Sequence, residues 1–294
     1  MDQASTLKRM AGELRRCGPQ SGKASPRVIS VTSGKGGVGK TNVAVNLAIC
    51  MAKAGRRVVL LDADLGLGNV DVLLGLNPRF TLQHVLSGEM PMSEVLLPGP
   101  CGIMVLPAGS GVAEMLEVSV QGKDAVLAEL RAMEAGLDAL IIDTGAGISD
   151  NVLYFNKSAH DIILVTLPEP TAVTDAYAMI KVLNGRYGVG AYRLLVNGAR
   201  DKAEAREVYE TVSRVAGRFL GVAVEYAGCI MEDDNVPKAV GRQKAYIEAY
   251  PETRASRCVE ELASLAYGWA EAAVRDVPAA HFWDRLLGSA QRTG

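Results

Sequence analysis

Residues 34–41 read Gly34-Lys35-Gly36-Gly37-Val38-Gly39-Lys40-Thr41. Glycines at these positions let the backbone turn its N–H groups inward, where they hold phosphate oxygens. A helix that opens directly after the loop adds the positive end of its dipole. In the GxxxxGKT spacing, Lys40 reaches the β- and γ-phosphates and the Thr41 hydroxyl ligates Mg²⁺. Asn42 belongs to the same nucleotide-binding stretch. Gly34, Gly36 and Gly39 also fit GxGxxG, with Asp62 as a ribose ligand. The Lys40-Thr41 pair favours a nucleoside triphosphate, because a dinucleotide site needs neither residue.

Carboxylates stand at the ends of two further apolar runs. LLDADLGLGN (60–69) carries Asp62 and Asp64. A spacing of two on an extended segment puts both on one face. Asp64 also suits a plainer role, capping a short helix near Asn69. LIIDTGAGIS (140–149) closes on Asp143, a position that binds the water shell of Mg²⁺. Thr144 to Gly147 bend freely, as a loop that senses a γ-phosphate must. Small residues there also let a second backbone approach. Asn197 ends the run RLLVN, and Glu232 and Asp233 lie in IMEDDNV (230–236).

The elements that must position these residues alternate regularly. Apolar runs at 28–31, 58–62, 103–107, 139–143, 162–168 and 193–197 are each followed by a helical stretch or a glycine-rich loop. Near-continuous apolar strands alternating with helices predict an α/β fold, a mostly parallel, doubly wound sheet covered on both faces. Right-handed crossovers then bring the strand C-termini to one edge, where ligands bind. Three segments follow: a tail at 1–27, a main domain at 28–274, and a C-terminal segment at 275–294. The tail holds six Lys/Arg against Asp2 and Glu13 and reads as a helix over about 3–16 with Leu7, Met10 and Leu14 on one face.

The C-terminal HFWDRLLGSAQR (281–292) puts Phe282, Trp283, Leu286 and Leu287 on one apolar face. Such a helix lies in a lipid interface or packs on the protein's own core. The chain has 294 residues, 49% hydrophobic and 22% charged, with a net charge of −2. That balance gives no global basic coat for nucleic acid. No apolar run suits a membrane span or a secretory signal. Five scattered cysteines without a CxxC argue for a reducing cytosol and against a structural zinc or iron–sulfur site within one chain.

KGGVGKT (35–41) resembles the deviant Walker A signature of the MinD/ParA-type ATPases. The resemblance runs from about residue 28 to 265 and implies a MinD-like P-loop fold that binds ATP/ADP with Mg²⁺. It implies an ATP-bound homodimer in which Lys35 crosses to the partner's phosphates. A solvated loop lysine is the plainer alternative. It further implies that Asp64 positions the attacking water, that Asp62 and Asp143 support the metal shell, and that Asn197 reads the adenine edge. Glu232 and Asp233 fall in the second base-contacting loop, where Met231 replaces the usual proline. The asparagine of either loop, Asn197 or Asn235, also reads as a plain turn residue.

Segments 61–76, 143–149, 168–181 and 239–251 resemble most the flagellar-number ATPases called FlhG, FleN or YlxH. Asp2, Gln3, Leu7 and Lys8 resemble that family's DQAxxLR element, with Lys8 in place of Arg. The element implies the flagellar GTPase FlhF as partner. Lysine cannot reproduce arginine's bidentate contacts. Asp175 falls on the partner-facing helix of MinD-type proteins. Flagellar switch-ring components and a flagellar transcription activator are further implied partners. Weak membrane binding through the C-terminal face would place the chain in the cytoplasm and reversibly at the inner membrane face. Division or cargo partitioning is the alternative branch.

Overall fold

The computed structural model describes residues 26–64, 69–107, 109, 120–269 and 282–288; of these, the side chains of 120–126, 285, 287 and 288 are not described. The expected N-terminal helix, with Asp2, Gln3, Leu7 and Lys8, lies outside the described residues.

The chain opens with β1 (Arg27–Ser33), α1 (Lys40–Lys53), β2 (Val58–Ala63) and three short helices, α2 (Val70–Leu74), α3 (Leu82–Leu86) and α4 (Met92–Val95). Then come β3 (Leu97–Pro98), β4 (Met104–Pro107), α5 (Val120–Ala135), β5 (Ala139–Ala146), α6 (Asp150–Ser158), β6 (Asp161–Thr166) and α7 (Pro170–Tyr187). The last part holds β7 (Ala191–Ala199), α8 (Lys202–Leu220), β8 (Ala223–Met231), α9 (Asn235–Gly241), α10 (Tyr246–Ala249), α11 (Arg254–Gly268) and α12 (Phe282–Gly288).

Among the described residues, eight strands form one sheet in the order β3-β4-β2-β5-β1-β6-β7-β8. Every pairing is parallel except the short β3 against β4. Successive side chains alternate between faces, so a strand covered on both sides is apolar throughout. Ile29, Val31, Leu60 and Ile141 pack under α1 and α11 on one face. Val28, Val59, Leu61 and Leu140 face the layer of α3 to α6 and α12. Ile162, Leu164 and Leu194 continue that second face beneath α7 and α8.

All six expected runs are strands. β3 and β8 carried no such run. β8 lies at the sheet edge and pairs only with β7, and exposed or half-buried residues interrupt its buried ones. An edge strand therefore lacks the unbroken apolar signal of a central one.

The C-terminal face requires a correction. Phe282 and Trp283 are fully buried and Leu286 is 1% exposed, all within the core of the main domain. The Phe282 N–H donates to Glu134 Oε1 at 3.0 Å, and Arg131 pairs with Asp284. In this structure those three side chains fill the layer over β2 and β5 and present nothing to lipid. Two aromatic rings stacked edge-on at 4.9 Å gain more from a packed layer than from water. The Leu287 side chain lies outside the described residues.

Candidate nucleotide site

The central strand β1 runs straight into the phosphate loop, with β5 and β6 as its neighbours. Gly37 and Gly39 adopt φ of 79° and 88°, which L side chains avoid. Gly34 is required for a different reason. A Cβ there would lie 2.0 Å from the Asp175 carbonyl oxygen, so loop and α7 meet backbone to backbone. A Cβ on Gly39 would lie 2.3 Å from Asn197 Nδ2, which donates to the Val38 carbonyl at 2.8 Å. Asn197 thus braces the loop from β7.

Lys40 and Thr41 open α1, and Lys40 is buried. Asp143 is fully buried beside them and neither of its carboxylate oxygens has a well-formed hydrogen bond. Burial first, and the Asp62 charge second, push its carboxyl up to about 7, while Lys40 and Thr41 pull against them. Asp62 stands opposite Asp143 in the β2–β5 register. Burial lifts Asp62 to about 6, against the pull of two backbone N–H donors. Those donors are Asp64 N at 3.2 Å and Val70 N at 3.1 Å. Asp62, rather than Asp64, therefore ties down the N-terminus of α2. Asp64 meets Asn69 Nδ2 at 3.4 Å, and its Oδ1 lies 3.5 Å from where a Cβ on Gly145 would stand. The two carboxylate loops thus face each other.

A cleft of about 460 Å³ opens between these parts. It is lined by Gly36, Gly37, Gly39, Lys40, Thr41 and Asn42 of the loop and α1, with Asp64, Asn69, Val72, Leu73, Ala146, Val240 and Gln243. An orphaned buried carboxylate beside a hydroxyl and a glycine cradle fits a Mg²⁺ nucleotide. Among the described residues no cluster of three His, Cys, Asp or Glu could hold a metal alone. Mg²⁺ needs only one or two carboxylates when substrate phosphates complete its shell.

Not every expected residue joins the cleft. Asn197, Glu232 and Asp233 are not among the described residues that line it. The Asp233 carboxylate accepts from Asn235 N at 2.9 Å and Ala255 N at 3.3 Å. Its place is at the starts of α9 and α11. Glu232 is exposed. Val72, Val240 and Gln243 were missed, because they approach only once α2 and α9 fold over the loop. No sequence signal marks them; in the structure Gln243 stands at a φ of 53° and donates to the Val72 carbonyl, which ties the turn after α9 to α2.

Lys35 does not line the cleft. Its ammonium donates to Glu169 Oε2 at 3.0 Å and to Thr171 Oγ1 at 3.2 Å. Asp175 sits one turn further along α7 and is half-buried.

Comparison with known proteins agrees with this geometry. Residues 25–189 match the ParA family, described as NUBPL iron-transfer P-loop NTPase. The chain is 46% identical to the antiactivator FleN of Pseudomonas aeruginosa over 251 residues, 85% of this chain and 90% of FleN. It is 31% identical to the flagellum site-determining protein YlxH of Helicobacter pylori, over 90% of this chain and 91% of YlxH. The septum site-determining protein MinD of Pyrococcus horikoshii, solved with Mg-ADP, superposes with a TM-score of 0.65 at 25% identity, covering 83% of this chain and 97% of that one. With a phosphate loop, two facing carboxylate strands and a mostly parallel sheet, the chain belongs to the ParA/MinD family of P-loop NTPases and is an ATPase.

Proposed function

We propose that this ATPase is a dimerising switch that controls flagellar number and placement. The observation that carries the reading is the 46% identity to FleN across 85% of the chain. The name of YlxH, a flagellum site-determining protein, points the same way. ATP and Mg²⁺ bind at the loop through Lys40, Thr41 and the Asp62 and Asp143 carboxylates. Two chains close with each Lys35 reaching the partner's phosphates. Asp64 orients the attacking water, and hydrolysis reopens the pair. The γ-phosphate's contacts with both carboxylate loops are the differential interaction that biases one state against the other.

FlhF is the proposed partner of Asp2, Gln3, Leu7 and Lys8. Asp175 on α7 is proposed to face partners of the closed pair, which include switch-ring components and a flagellar transcription activator. Among the described residues no helix is long and apolar enough to cross a membrane. Peripheral contact with lipid would require Phe282 and Trp283 to leave the core.

The test counts flagella per cell in a strain lacking this chain, complemented with wild type or Lys40→Ala. An altered number restored by wild type and not by Lys40→Ala supports the reading. Normal flagella with a division or segregation defect would move the protein to the MinD-like positioning branch.

A further inference from the structure

Lys35 is a loop lysine with a built partner. Its ammonium is held between the Glu169 carboxylate and the Thr171 hydroxyl, the cap and second residues of α7. The surroundings make that partner necessary. α7 has 18 residues, and its N-terminus is the positive end of the helix dipole. A bare ammonium there would be repelled, so the Glu169 charge decides whether Lys35 stays. Capping does not compete for Glu169, because its side chain makes no cap hydrogen bond to α7. Nor is the approach a product of two loose side chains. Gly34, the residue before Lys35, is in backbone contact with Asp175, one turn beyond Thr171. The loop and the start of α7 are therefore fixed against each other.

We infer that Glu169 and Thr171 form a parking site that holds Lys35 on its own chain, and that this site sets the concentration at which the ATP dimer closes. Glu169 is a positioning residue: it acts through Lys35. The inference rests on the reading that Lys35 works in trans. A lysine that must reach a second chain has first to leave Glu169, and two such contacts break per dimer. The pair is only partly buried, with side chains 32% and 54% exposed, so each contact is worth up to about fivefold in an equilibrium. Two together shift closure by up to about 25-fold.

The experiment measures the chain concentration at half-dimerisation by analytical ultracentrifugation, with the full chain, Mg²⁺ and a non-hydrolysable ATP analogue. Glu169→Gln is expected to lower that midpoint by about 3- to 25-fold, and the gap from wild type to narrow at about 0.5 M salt. Thr171→Val should move it in the same direction by less. The melting temperature should stay within about 1 °C because the pair is only partly buried, which separates a shift in dimerisation from loss of fold. Lys35→Ala separates the two readings. If Lys35→Ala dimerises like wild type, Lys35 does not work in trans and the parking site falls with it. If Lys35→Ala stays monomeric while Glu169→Gln leaves the midpoint unmoved or raises it, the trans role stands and the parking site alone is overturned.

Discussion

Asp62 and Asp143 are direct partners in the β2–β5 register, and burial holds both carboxyls well above the ordinary range, at about 6 and about 7. A carboxyl whose folded value is raised stabilises the fold fully below its unfolded value, about 4, and loses that contribution as pH rises through the folded value. Between about pH 4 and pH 7 the nucleotide-free chain should therefore lose stability from this pair. A divalent cation binds the deprotonated form. The rise in melting temperature on adding Mg²⁺ and ADP should be larger at pH 8 than at pH 5.5. An equal rise at both would show that the pair does not titrate in this window.

Replacing one member should separate folding from catalysis. At pH 8, where Asp143 is ionised, Asp143→Asn removes a buried charge without changing shape. The nucleotide-free melting temperature should rise by on the order of 5 °C, since each pKa unit corresponds to about 1.4 kcal/mol. Mg²⁺-dependent ATP hydrolysis should fall by at least about a hundredfold. A variant that is neither more stable nor slower would remove Asp143 from the metal site.

Two glycines of one loop should respond differently to the same methyl group. Gly34→Ala drives a Cβ into the Asp175 backbone at 2.0 Å, whereas Gly36→Ala meets nothing within 4 Å. Gly34→Ala should lose about 2 kcal/mol or more in urea unfolding, and Gly36→Ala about 0.5 kcal/mol or less. Equal losses would mean that the loop and α7 are not in close contact.

Far from the cleft, Asp161 accepts hydrogen bonds from Arg27 and Arg193, and the Arg193 guanidinium stacks 4.2 Å from the Trp269 ring. Asp161→Ala leaves two guanidinium groups without their shared carboxylate. Breaking such a buried pair costs about 3–5 kcal/mol. Denaturant unfolding should show that loss, with nucleotide affinity unchanged because Asp161 starts β6 at the other end of the sheet. A change within about 0.5 kcal/mol would show the network to be dispensable.

Trp283 tests the packing of α12. As a fully buried side chain it should cost about 3–5 kcal/mol when replaced by Ala. An effect below about 0.5 kcal/mol, with wild-type tryptophan emission typical of an exposed ring, would show that α12 does not stay docked in solution.

Local signals made the site's frame legible. Gly34 to Thr41 carry their geometry in eight consecutive residues, and Asp62 and Asp143 each follow an unbroken apolar run, which places them toward the C-terminal ends of their strands. Residues whose role depends on a distant neighbour were not legible. Asp233 has the same chemistry whether it meets a base or caps a helix, and the sequence does not show the approach of Ala255 N. Glu169 and Thr171 stand 134 and 136 residues from Lys35, and no spacing rule connects them. The amphipathic pattern of 282–287 suits lipid and protein core equally, because a hydrophobic face does not specify what covers it.

The order β2-β5-β1-β6 puts the site on the most deeply enclosed part of the molecule. In hydrogen-exchange terms, the strands that carry Asp62 and Asp143 should belong to the last unit to open, and the five-residue α2 hanging from Asp62 to the first. Nucleotide should then slow exchange chiefly in α2 and in the turn at Gln243, and scarcely in β2 or β5. On the proposed mechanism, the slow core would be the fixed frame of reference and α2 the short, fast segment that registers a γ-phosphate.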